Sequence, residues 1–173
     1  MANVIYTSRE QIEVYRFPWP VAIGVPLAAI ILQAFLPVRI SFFSAFDLPL
    51  LVTIFFAVAW RSPVKGLLTG SAIGLVQDAL TDRPLGVYGI SKTVVGYIAS
   101  SLGVKIDVEN PGSRFLMTVA FYMTHEFIYL TIMRGLVGQA HTWRWAHELG
   151  AAVANGLMAI VLFAILDKFK QRT

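Results

Sequence analysis

Six stretches of mainly apolar residues, 20–37, 42–60, 64–81, 87–104, 114–136 and 149–167, occupy most of this 173-residue chain. A helix that crosses the hydrocarbon of a bilayer needs about 20 such residues, and its backbone must bond to itself because no water is present there. Hydrophobic residues make up 57% of the sequence and charged ones only 14%, against about a quarter in a soluble domain. The chain reads as an all-α integral membrane protein, a six-transmembrane-helix bundle over 19–168. Asp47 and Pro49 interrupt the second stretch, so its outer end is expected to be an interfacial turn.

The flanks are polar. Residues 1–18, ending in IEVYRFP, alternate charge with aromatic rings and are expected to lie on the membrane surface as a short helix. Their mixed charge does not resemble a cleavable leader. Residues 169–173 form a basic tail, and 138–148, with Trp143 and Trp145, belong at head-group level. With six spans and the N-terminus inside, Arg9, Arg16, Arg61, Lys65, Lys105, Arg114, Lys168, Lys170 and Arg172 fall inside. Arg39, Arg83, Arg134 and Arg144 fall outside. Nine against four places both termini in the cytoplasm. The net charge of +4 suits anionic lipid head groups, and no dense basic run points to nucleic acid.

That topology gives the polar residues a depth. Gln33, Gln77, Asp78, Lys92, Arg134 and Asn155 all fall in the outer half, whereas the inner half is nearly free of ionisable groups. A charge at bilayer depth costs a few kcal/mol unless it is paired or hydrated, so these groups are expected to pair with each other or to line an outward-facing polar pocket, with Arg134 a pocket candidate that, like Arg83, more readily snorkels to the head groups. Gly66, Gly70, Gly74 and Asp78 recur every four residues, as do Lys92, Gly96 and Ser100. Small residues at that spacing let helix backbones approach closely in lipid. If the two stripes face each other across the turn TDRPLGVYG, Asp78 and Lys92 meet at the end of a tight hairpin. Their pairing is the expectation.

No catalytic constellation is complete. HEFIY at 125–129 lacks the second histidine of HExxH. His141 and His147 have no carboxylate pattern that would complete a metal site. GISK at 89–92 is not a nucleophile elbow, and the absence of cysteine removes thiolate chemistry. His125 and Glu126 are read as structural, with an intramembrane hydrolase as a remote alternative. No enzyme, cofactor or metal is expected.

The run QD-x5-PLG, formed by Gln77, Asp78, Pro84, Leu85 and Gly86 after a glycine-rich span and before one with YGI and GY, resembles the rod shape-determining MreD family. The likeness extends to the whole layout. It implies a non-enzymatic scaffold in the bacterial inner membrane, within the elongation machinery that governs cell shape and peptidoglycan synthesis. The implied partners are the transmembrane helix of MreC, together with MreB, RodA and its penicillin-binding partner, and membrane lipids. The family's architecture is also similar to the S components of energy-coupling-factor vitamin transporters, six-helix bundles with an outer pocket. The alternative function is therefore substrate capture by such a component.

Overall fold

The computed structural model describes residues 15–81, 84–103, 110–139 and 143–172. They form six helices: α1 (Trp19–Arg39), α2 (Leu48–Trp60), α3 (Pro63–Leu80), α4 (Val87–Leu102), α5 (Pro111–Gly135) and α6 (Trp145–Leu166). Short 3-10 turns cover Ser41–Ala45 and Asp167–Phe169. Proline near the start of α1, α2, α3 and α5 marks where each begins, since a first-turn proline gives up an N–H that has no helical partner anyway. Asp47 caps α2 by accepting the Leu50 N–H at 2.9 Å, and Asn110 caps α5 through the Gly112 N–H at 2.8 Å.

The helices alternate in direction, so the chain's two described ends meet. Tyr15–Arg16 (β1) and Gln171–Arg172 (β2) pair antiparallel, Tyr15 opposite Arg172. This corrects part of the expected surface helix; residues 1–14 of it lie outside the described residues. Pro18 and Pro20 follow directly, and the residue before a proline avoids helical backbone. The strand partner meets the backbone bonds that a surface helix would have made internally. Lys170 Nζ lies 4.6 Å from the centre of the Tyr15 ring. Helix α6 also begins earlier than the sixth apolar stretch, at Trp145, so part of the expected interfacial segment is its first turn; residues 140–142, with His141, lie outside the described residues, as do Arg83 and Lys105.

Burial runs inside out relative to a soluble bundle. On α1, Trp19, Ile23, Leu27, Ile31, Phe35 and Val38 are exposed, Trp19 and Val38 at 80% and 81%. On α6 the exposed stripe is Leu149, Val153, Leu157, Val161 and Ile165, while Ala151, Ala152, Asn155, Gly156 and Ala159 face inward. Large apolar side chains pointing out and small ones pointing in is the pattern of helices packed in lipid. Three helical segments, Trp19–Arg39, Pro111–Gly135 and Trp145–Phe169, are long and apolar enough to cross a membrane.

Helix α2 is different. At 13 residues it covers about 20 Å, short of the roughly 30 Å hydrocarbon layer. Every residue from Pro49 to Ala59 is buried, so α2 is the centre around which the others pack. Phe55 meets Phe163 of α6, and Phe56 stacks on Trp60. Phe17, just ahead of α1, closes this end edge-on against Phe55, Phe56 and Trp60.

Candidate functional site

Helices α3 and α4 form the tightest contact in the fold. A Cβ added to Gly66 would overlap the Gly96 carbonyl and one on Gly70 the Lys92 carbonyl, while at Gly74 it would strike Tyr88 and Gly89 backbone. The two stripes of small residues therefore lie face to face, with Ser100 beside Gly66. Backbone contact of this kind is available only to glycine.

The expected Asp78–Lys92 pair is not formed. Asp78 Oδ2 accepts the Gly86 and Gly89 N–H groups at 2.9 and 3.1 Å, and Oδ1 accepts the Tyr88 N–H at 3.1 Å. The first N–H groups of a helix have no helical acceptor and carry the positive end of its dipole; at the start of α4 they are the nearer claim on the carboxylate. Gly86 adopts φ 99° to turn the chain there, a left-handed conformation that suits glycine. The QD-x5-PLG run thus has a physical account. Gly86 makes the turn, Pro84 accepts the Val87 N–H at 3.4 Å, Leu85 points outward, and Asp78 holds the turn to α3.

Lys92, 0% exposed, reaches another carboxylate. Its Nζ donates to Asp47 Oδ2 at 2.5 Å and to His125 Nε2 at 3.3 Å, and it lies 4.9 Å from the centre of the Tyr88 ring. An ammonium has only donors, so Nε2 is the acceptor nitrogen towards Lys92 and the ring proton sits on Nδ1. That proton faces Glu126 Oε1 at 3.2 Å. Tyr88 is stacked between His125 and Tyr129, at 5.6 and 5.3 Å between ring centres. An ordered chain results, Asp47–Lys92–His125–Glu126, joining α2, α4 and α5.

Asn155 of α6 fixes the other side of Asp47. Its Oδ1 accepts the Asp47 N–H at 2.9 Å, and its Nδ2 donates to the carbonyls of Ala45 and Ala151. Gln33 Oε1 accepts the Leu48 N–H at 3.1 Å. Between these groups, at the end of the bundle away from the paired strands, lies a cavity of about 230 Å³. Gln33, Asp47, Gln77, Tyr88, Tyr122 and Glu126 contribute to its lining. Gln77 is 3% exposed, and its Oε1 has no hydrogen-bond partner.

Of the six expected pocket residues, Gln33 and Gln77 line the cavity, Lys92 and Asn155 brace it from behind, and Asp78 holds the adjoining turn. Arg134, in the last turn of α5, is exposed and does not line it. Asp47, Tyr88 and Tyr122 were not anticipated. The signal for Asp47 was present: Asp-Leu-Pro ahead of an apolar run reads as a helix cap, which puts its carboxylate at the end of the bundle where Lys92 lies. Among the described residues no cluster of histidine and carboxylates is arranged to hold a metal.

Searches of curated proteins and of solved structures return no match. The family model described as rod shape-determining protein MreD matches residues 15–173. With nearly the whole chain covered and apolar helices of membrane-crossing length in the structure, this protein belongs to the MreD family, membrane proteins that take part in determining rod shape.

Proposed function

We propose that this protein is a non-enzymatic inner-membrane scaffold of the elongation machinery, acting in complex with MreC and through it on peptidoglycan synthesis by RodA and its penicillin-binding partner, alongside MreB. The observation that carries the proposal is the family match over residues 15–173. In this reading all six helices cross the membrane, α2 sheathed by the other five, and both termini are cytoplasmic. The excess of Lys and Arg at the end where β1 and β2 pair supports that orientation. The cavity then opens toward the outside and holds a small ligand or a lipid headgroup.

The test is co-expression with MreC in the same membrane and capture of either partner. Joint purification at defined stoichiometry is expected; recovery of each protein alone would reject the complex. Because the chain has no cysteine, single cysteines at Ser44 and Gln171 report sidedness with an impermeant thiol reagent. Labelling of Ser44→Cys alone in intact cells is expected, and labelling of Gln171→Cys would reverse the orientation. The polar cavity also supports a second reading, substrate capture by a transporter S component. That reading requires co-purification with a membrane coupling protein and ATPases.

A further inference from the structure

The cavity has a one-sided chemistry. Among the described residues its charged lining residues are Asp47 and Glu126, both acidic. The ammonium of Lys92 lies behind the wall, wholly buried and already engaged by Asp47 and His125. His125 Nε2 is 3.3 Å from the Lys92 ammonium and accepts from it. Among the described residues the lining therefore offers carboxylate acceptors and no cation of its own. Gln77 adds an independent demand, because it lines the cavity and its buried Oε1 has no donor. A buried acceptor left unbonded is costly, and a donor entering the cavity would remove that cost. Tyr122 contributes an aromatic ring to the same wall, which attracts a cation.

These demands select among ligands. An anion would meet two carboxylates. A neutral polyol could satisfy Gln77 but would bring no cation to the carboxylates. A quaternary ammonium supplies charge but no N–H for Gln77. A primary ammonium supplies both, and about 230 Å³ is room for a headgroup-sized moiety. We propose that this cavity binds a primary ammonium group, carried by a lipid ethanolamine headgroup or by a free small amine. The inference rests on the cavity being a ligand site, as in the function proposed above.

The test uses the full chain purified in detergent and compares thermal unfolding with ethanolamine, choline and ethylene glycol at constant ionic strength. Ethanolamine is expected to raise the midpoint saturably, as a ligand of the folded state does, whereas choline and ethylene glycol leave it unchanged. Glu126→Gln and Gln77→Met keep side-chain size, and each is expected to weaken ethanolamine binding about tenfold or more. Each variant's midpoint without probe reports whether it is folded. A second arm reconstitutes the protein in nanodiscs of phosphatidylethanolamine or phosphatidylcholine, each mixed with phosphatidylglycerol. Stabilisation by phosphatidylethanolamine identifies the lipid as the source; stabilisation by free ethanolamine alone identifies a soluble amine. An equal response to choline, an unchanged response in Glu126→Gln, or no response to either amine source overturns the proposal. Capture of MreC from the same preparations is read separately. Retained MreC with no amine response rejects this inference alone, and the converse rejects the scaffold alone.

Discussion

Replacing Asp47 strands the Lys92 ammonium. The two groups are 2.5 Å apart and Lys92 is fully buried; its other neighbours are an imidazole nitrogen and an aromatic ring. Removing one member of a buried ion pair costs about 3–5 kcal/mol in soluble proteins. Asp47→Ala also deletes the acceptor of the Leu50 N–H, a helix cap contributing about 1 kcal/mol. The expected loss is therefore about 4–6 kcal/mol, a large part of a typical total stability. Asp47→Asn keeps the cap and isolates the charge. Lys92→Met leaves the Asp47 carboxylate with its Leu50 bond and a place on the cavity wall, so its cost is expected to be smaller, about 1.5–3 kcal/mol. Asp47→Asn with Lys92→Met removes both charges and should recover much of the sum, giving a coupling energy of about 2 kcal/mol or more. Equilibrium unfolding in mixed micelles with rising SDS measures all four proteins. Additivity within about 0.5 kcal/mol would refute the pairing. The parallel cycle with Asp78→Asn and Lys92→Met is expected to show the weaker coupling, since among the described residues Asp78 bonds to backbone N–H groups and not to Lys92.

Gly70→Leu is expected to abolish folded yield, since even a Cβ there overlaps the Lys92 carbonyl; Gly24→Ala, with nothing within 4 Å, should be neutral or stabilise by up to about 1 kcal/mol. Monodispersity on size exclusion separates the two. Asp78→Ala, which leaves three N–H groups at the start of α4 without their acceptor, should cost about 2–4 kcal/mol and speed amide exchange at Gly86–Gly89. Unchanged exchange there would show that Asp78 does not hold the turn. Asn155→Leu removes the acceptor of the Asp47 N–H and two donor bonds to carbonyls. A loss of about 2–3 kcal/mol in the same SDS titration is expected, and a loss below about 0.5 kcal/mol would mean that α6 is not anchored through this side chain.

The helices and the α3–α4 contact were legible because spacing is local. Four-residue repeats of glycine stand in the sequence whatever the rest of the chain does, and they specify which faces can touch. Charge partners are not local. Asp78 and Lys92 sit at the right spacing to meet, but the acceptor capacity of Asp78 is taken by N–H groups that exist only once Gly86 has turned and α4 has begun. Backbone donors carry no letter in the sequence, so a side-chain pairing argument overlooks them. Asp47 was visible as a break in an apolar run. Its role as the partner of Lys92 depends on α2 lying beside α4, a packing fact that residue spacing within either helix does not contain. The length of α2 has the same origin, because a helix enclosed by protein is freed from matching the bilayer.

The pairing of Tyr15 with Arg172 brings the described ends of the chain to adjacent positions in one small ladder, about 5 Å apart between Cα atoms. A short linker could join them and the chain could be opened elsewhere, giving circular permutants that retain each helix-to-helix interface while changing which helix leaves the ribosome first. Comparing such permutants would separate what the finished bundle demands from what the translocon demands of the order in which its helices arrive.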